Sequence, residues 1–124
     1  VLRESKAFSG FSVDDLDAAR RFYGETLGLE IDPDGPGLNI KIAGGNPVFV
    51  YPKRDHQPAT FTILNFPVSD IEGAVDDLAG RGITFERYEG TELETDDKGI
   101  FRAMGPPIAW FKDPAGNVLS VIQS

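Results

Sequence analysis

The chain repeats itself. Phe11-Ser12-Val13-Asp14-Asp15-Leu16-Asp17-Ala18-Ala19 returns 55 residues later as Phe66-Pro67-Val68-Ser69-Asp70-Ile71-Glu72-Gly73-Ala74. A second echo sets Gly45-Asn46-Pro47-Val48-Phe49-Val50 against Gly116-Asn117-Val118-Leu119-Ser120-Val121. Each copy begins as a strand, turns into a helix and closes with a hairpin. The expected fold is therefore α+β, with two βαβββ modules related by a pseudo-two-fold repeat and curved mixed sheets wrapped around a cleft. Module one is expected at about 1–52, a polar linker at about 53–58 and module two at about 59–124.

Local signals support that division. Ala7 to Val13 reads as a strand that stops at an acidic helix start, where Asp14 or Asp15 can accept from free amides and Asp17 complements the helix dipole. Leu16, Ala19, Tyr23 and Leu27 fall at helical spacing, and Gly28 suits a left-handed stop. In the second copy Ser69-Asp70-Ile71-Glu72 reads as a capping box, with Ser69 as the cap and Glu72 reaching back. Ile71, Ala74, Val75 and Leu78 form its apolar stripe, and Gly80 or Gly82 ends it. Strands are expected at Leu38 to Ile42 and Val48 to Tyr51, joined by Gly44-Gly45-Asn46. Further strands are expected at Thr84 to Tyr88, near Ile100 to Met104, at Ile108 to Phe111 and at Val118 to Ile122. The turn Asp113-Pro114-Ala115-Gly116-Asn117 joins the last two.

With 124 residues, 40% hydrophobic and 26% charged, the chain has the size and balance of one globular domain. It has no cysteine, which excludes disulfides, thiolate catalysis and thiolate-bound zinc. No apolar run approaches the roughly 20 residues of a membrane span and no signal-peptide pattern is seen, so cytoplasmic residence without a membrane partner is expected. A net charge of −8 disfavours nucleic acid and favours a cationic small molecule.

Three stretches carry a resemblance. They are Val13-Asp14-Asp15-Leu16-Asp17-Ala18-Ala19 running into Phe22-Tyr23 and Leu27-Gly28-Leu29, the second-copy Val68-Ser69-Asp70-Ile71-Glu72, and Phe111-Lys112-Asp113-Pro114-Ala115-Gly116-Asn117. On these the chain resembles the vicinal oxygen chelate superfamily, which includes glyoxalase I, extradiol dioxygenases, and fosfomycin- and bleomycin-resistance proteins. The resemblance spans almost the whole chain and implies the fold more than the function, since members run different chemistries or none. In metal-dependent members four strand positions supply His, Gln or Glu ligands. Counting from the corner aspartates and the turn glycines puts Phe8, Ile63, Phe49 and Ser120 at those positions. Three have no donor atom and serine is a poor neutral ligand, so no metal and no other cofactor is expected. The resemblance also implies a homodimer, in which modules are sometimes exchanged.

Other residues are read against their ordinary roles. His56, the sole histidine, sits in Arg54-Asp55-His56-Gln57 and reads as a surface loop residue. Glu89, Glu92, Glu94, Asp96 and Asp97 lack the spacing of a calcium loop and read as a solvated loop. Ser120 has no nucleophile elbow and reads as a small polar wall residue. Strand alternation puts Phe8, Gly10 and Ser12 on one face, with Pro47, Phe49 and Tyr51. In the second copy it puts Phe61, Ile63 and Asn65 together with Val118, Ser120 and Ile122. Trp110 and Met104 are additional candidate walls. Arg87 and Arg102 either anchor a negative group or lie in solvent.

The expected function is binding of an apolar or aromatic, preferably cationic, small molecule without metal or covalent chemistry, as in bleomycin-resistance-type sequestration. The ligand-binding candidates are Phe8, Phe49, Tyr51, Ile63, Asn65, Trp110 and Ser120, with no catalytic residue assigned. The alternatives are a glyoxalase- or dioxygenase-class enzyme with non-standard residues such as Tyr51, Asn65 or Arg102, and a structural or regulatory dimer whose cleft is filled.

Overall fold

Phe11 and Val13 alternate with Gly10 and Ser12, so an extended chain there has one apolar face to bury. In the computed structural model, which describes residues 1–32 and 35–124, Gly10–Val13 is strand β1 with Phe11 and Val13 buried. Asp15 ends it: its carboxylate accepts from the Ala18 amide (3.1 Å) and opens helix α1, Leu16–Arg20. The expected helical stripe then changes pitch. Arg21–Thr26 forms a π-helical turn, closed by the Leu27 amide donating to the Phe22 carbonyl at 2.8 Å. Tyr23 nevertheless has no exposed surface, and its ring lies 5.7 Å from that of Phe11 and 5.1 Å from that of Phe22. Gly28, at φ +73°, makes the left-handed stop.

Three strands complete the first unit, Val1–Pro58: β2 Ile31–Asp32, β3 Leu38–Ile40 and β4 Val48–Pro52. The sheet order is β1-β4-β3-β2, with β1 and β4 parallel and the other pairs antiparallel. Lys53–Pro58 packs as part of this unit. The Lys53 amide donates to the Val13 carbonyl (2.9 Å) and the His56 amide to the Lys53 carbonyl (3.0 Å).

The second unit, Ala59–Ser124, repeats the plan. Its elements are β5 Thr62–Val68, α2 Ile71–Gly80, β6 Ile100–Phe101, β7 Ile108–Lys112 and β8 Val118–Gln123. The order is β5-β8-β7-β6, again with a parallel pair, β5 and β8, and antiparallel neighbours. Both copies are thus βαβββ with a four-stranded mixed sheet.

Several expected strands are shorter. The first begins at Gly10 rather than Ala7, and β3 ends at Ile40 rather than Ile42. The strand expected over Thr84 to Tyr88 reduces to one bridge, Phe85 to Phe111, with the Glu86 amide donating to the Trp110 carbonyl at 2.8 Å. The edge of β7 explains this. Ile108 and Ala109 pair with Phe101 and Ile100, while Trp110 and Phe111 meet Glu86 and Phe85, so two segments share one edge and neither extends. Gly99 makes the fit possible, since a Cβ there would come within 2.7 Å of the Phe85 Cβ.

The start of α2 corrects the capping assignment. Asp70, not Ser69, is the cap, with its carboxylate accepting from the Gly73 amide at 3.1 Å. Gly73 leaves room for this, because a Cβ there would sit 2.5 Å from Asp70 Oδ2. The side chain of Gln123 takes the next free group, its Oε1 accepting from the Ile71 amide at 3.0 Å while its Nε2 donates to the Ser69 carbonyl. Glu72 does not reach back. It faces Lys98 (3.7 Å) and Arg102 (3.6 Å).

The acidic loop is likewise more ordered than a solvated run. Asp96 Oδ1 accepts from the amides of Lys98 and Ile100, both 2.9 Å, and Oδ2 from Arg102 Nε at 3.0 Å. Lys98 pairs with Asp76 at 3.2 Å on α2. Burial pushes the Asp96 carboxyl up. The Ile100 amide, the Arg102 guanidinium and the Lys98 amide outweigh it and hold the group below its ordinary value.

The turn Asp113 to Asn117 is built around a buried carboxylate. Asp113 Oδ1 accepts from the amides of Ala115 (3.0 Å) and Asn117 (2.8 Å), and Oδ2 from Asn117 Nδ2 (3.1 Å). Asn117 Oδ1 accepts in turn from the Ala59 amide at 3.3 Å, tying the turn to the segment that leads into β5. Among the described residues no helix is long and apolar enough to cross a membrane.

Two outcomes follow for stability. Asp70→Ala should cost about 1 kcal/mol in chemical denaturation while Ser69→Ala changes the midpoint little; the reverse ranking would return the cap to Ser69. Asp96 has a depressed folded pKa, so its contribution is present above the unfolded value of 3.8 and lost as pH falls through the folded one. Asp96→Asn should therefore lower the melting temperature at pH 7, and the gap from wild type should shrink at pH 3.

Candidate functional site

Each sheet has two distinct faces. In the first unit Phe11, Val50 and Leu38 form one row, and Tyr23 packs on it. The adjacent row, Gly10–Phe49–Asn39, and the neighbouring pair Ser12–Tyr51 point the other way, by strand alternation. In the second unit the equivalent rows are Phe66–Val121–Ala109 and Asn65–Ser120–Trp110. The offsets of the sequence repeat map Gly10 onto Asn65 and Phe49 onto Ser120. The face away from the helix is thus the same backbone surface twice, with its bulk placed differently.

In the first unit the bulk is central. The rings of Phe49 and Tyr51 stack at 5.7 Å and 23°. Gly37 makes room, since a Cβ there would meet Phe49 Cε1 at 2.8 Å. Tyr51 is 37% exposed and Phe49 is half-buried. One end of this shelf is polar, where the Ser12 hydroxyl and His56 Nδ1 share a hydrogen bond of 2.7 Å. His56 is therefore not a plain loop residue: the turn from Lys53 folds it back onto β1. Phe8 lies outside β1 and is 69% exposed, in a shallow hollow of about 170 Å³ with Lys6, Asn39, Asn46 and Pro47.

In the second unit the centre of the row is small and polar. Ser120 has no exposed surface, and its hydroxyl donates to Asn65 Oδ1 at 2.5 Å. Trp110, half-buried, is held by the rings of Tyr88 (5.4 Å) and Phe101 (5.9 Å). Burial raises the Tyr88 phenol above its ordinary value, so it stays protonated at neutral pH. Ile63 does not join the row. The β5–β8 register shifts between Thr62 and Leu64, and Ile63 falls at that irregularity without a paired residue. Phe61 lies before β5 and is 68% exposed. Met104 is exposed outside any strand.

Neither arginine candidate anchors this face. Arg102 pairs with Asp96 and Glu72, while Arg87 donates to the Asp97 carbonyl and lies 4.0 Å from Glu89. The four positions equivalent to family metal ligands do not fit a metal: Phe8, Phe49 and Ile63 have no donor, and the Ser120 hydroxyl is engaged with Asn65. Among the described residues no group of three or more His, Cys, Asp or Glu is arranged to hold an ion.

Strand alternation placed Asn65 and Ser120 on one face of the second copy, but the parallel register of β5 and β8 that sets them side by side came only with the structure. The Ser12–His56 bond had no such signal, since it depends on a turn in the segment between the repeats. The collar of Tyr88 and Phe101 around Trp110 depends on the shared edge of β7 and was equally silent.

A family model described as Glyoxalase/Bleomycin resistance protein/Dioxygenase superfamily matches residues 8–121. No curated protein matches the sequence. Among solved structures, the chain is similar to a glyoxalase family protein from Enterococcus faecalis (TM-score 0.69, 21% identity, covering 98% of this chain and 99% of that one). It is also similar to TnmS3, an antibiotic binding protein from Streptomyces sp. CB03234 (0.66, 23%, 97% of each). A third similar structure is the oxidase ChaP-H2 (0.63, 22%, 95% and 93%). At these identities the structures speak for the fold alone, while the family model covers nearly the whole chain. The chain belongs to the Glyoxalase/Bleomycin resistance protein/Dioxygenase superfamily.

Proposed function

We propose that the protein binds an apolar or aromatic small molecule, without metal and without covalent chemistry. The observation that carries this reading is the pair of equivalent rows, Gly10–Phe49–Asn39 and Asn65–Ser120–Trp110. Both rows join aromatic surface to neutral polar groups, and at their centres Phe49 and Ser120 stand at positions where the resemblance implies metal donors. Aromatic walls supply large contact area and attract planar or cationic molecules through stacking and cation–π contact. A net charge of −8 speeds the encounter with a cation, and salt weakens that part. A structure of the same fold is described as an antibiotic binding protein, so this fold can serve such a function. Phe49 and Tyr51 on the first unit's face and Asn65 and Trp110 on the second's are the proposed contact residues. The fully buried Ser120 acts through Asn65, while Phe8 and Ile63, also expected from the sequence, lie off these rows. Under this reading the protein works in the cytoplasm as a homodimer, which sedimentation equilibrium tests directly.

Trp110 is the sole tryptophan, so its fluorescence reports on the second unit's face. Titration with N-methylquinolinium, a planar aromatic cation, should give saturable quenching that weakens with added salt. By calorimetry, Tyr51→Ala should weaken binding about fivefold, the equivalent of one cation–π contact of about 1 kcal/mol, and leave the melting temperature near wild type. No saturable binding of this cation or of neutral aromatic compounds would overturn the reading and leave a structural dimer.

A further inference from the structure

Asn65 and Ser120 divide one hydrogen bond between a buried and an exposed partner. Ser120 has no exposed surface, whereas Asn65 is exposed. The hydroxyl donates to Oδ1, which turns the amide oxygen inward and the NH₂ group outward. An amide nitrogen donates and does not accept, so the group facing outward is a pure donor. On the far side of the same row stands Trp110, two strands away through Ser120. At about 4.8 Å per strand, the backbones that carry indole and amide are about 10 Å apart. That distance suits a fused two-ring aromatic lying on the indole with one substituent reaching the amide. Tyr88 and Phe101 hold the indole, and the Ser120 hydroxyl holds the amide, so both contacts are set before a ligand arrives.

We propose that Asn65, oriented by Ser120, is a specificity-determining residue that selects planar aromatic molecules carrying a hydrogen-bond acceptor, such as a ketone oxygen, over those without one. The inference rests on the reading of this face as a ligand site. Its chemistry is separate from the attraction of the acidic protein for cations: a donor amide discriminates between neutral molecules of the same shape. A molecule without the acceptor leaves the NH₂ group covered and unpaired, and that penalty sets the selectivity.

The test compares 2-acetonaphthone with 2-ethylnaphthalene, which share size and shape and differ in the ketone oxygen, by equilibrium dialysis. Wild type should prefer the ketone about three- to tenfold, as expected for one hydrogen bond. Asn65→Leu should abolish the preference while keeping affinity for 2-ethylnaphthalene, and Asn65→Asp should reverse it by setting a carboxylate against the ketone. Ser120→Ala should reduce the preference with Asn65 still in place, because the amide then turns freely. Asn65→Asp keeps an acceptor for the buried Ser120 hydroxyl and should melt near wild type. Asn65→Leu leaves that hydroxyl unpaired and should melt somewhat lower while still folded, and circular dichroism checks all three variants. Equal wild-type affinity for both compounds, or a preference unchanged in Asn65→Asp, overturns the inference alone. Binding of neither compound by wild type, as when a second copy of the chain covers this face, overturns the inference. If N-methylquinolinium also fails to bind, the proposed function falls with it.

Discussion

The parallel pairing of first and last strands governs each unit. β1 lies beside β4 and β5 beside β8, and a parallel pair cannot be closed by a tight turn. The chain must leave the sheet, cross one face as a helix and return through the remaining strands. This makes the two faces chemically different, one covered by helix and apolar, the other free to carry polar and aromatic groups. In the second unit the buried Asp113 carboxylate and Asn117 secure the arrangement, since their bonds reach from the β7–β8 turn to Ala59 just before β5. A carboxylate buried there is tolerated because the Ala115 and Asn117 amides and the Asn117 side chain all donate to it.

The two copies share this backbone and differ in what they place on it. Gly10, Phe49 and Asn39 put a ring in the centre of the row, flanked by an absent and a small side chain. Asn65, Ser120 and Trp110 put a buried hydroxyl in the centre, flanked by an amide and an indole. Neither set contains a carboxylate or an imidazole, the groups by which proteins usually hold a divalent metal. What remains is contact area and a few neutral hydrogen bonds, the ingredients of binding.

Charge is used elsewhere. Asp96, Lys98 and Arg102 lace the loop after α2 to Glu72 and Asp76 on the helix. Each of these exposed pairs contributes little alone. Asp96 matters more because it also accepts from two amides, which shapes the turn that delivers β6 to the edge of β7.

The residue pattern alone determined the repeat, the βαβββ order and the two faces of the strands, with Asn65 and Ser120 on the same one. These depend on period-two alternation and on the chemistry of local turns, which neighbouring residues settle among themselves. Tertiary contacts decided the remainder. Ser69 and Asp70 both suit a cap, and the choice fell to Asp70, with the space above Gly73 for its carboxylate and the side chain of Gln123 arriving from β8. The expected strand at Thr84 to Tyr88 lost most of its pairing because β6 took part of the same edge. Ile63 left its row through a register shift between β5 and β8, and His56 reached Ser12 only because the following turn folds back. In each case the outcome was set by which distant segment arrived as a partner, and a local pattern of side chains carries no information about that arrival.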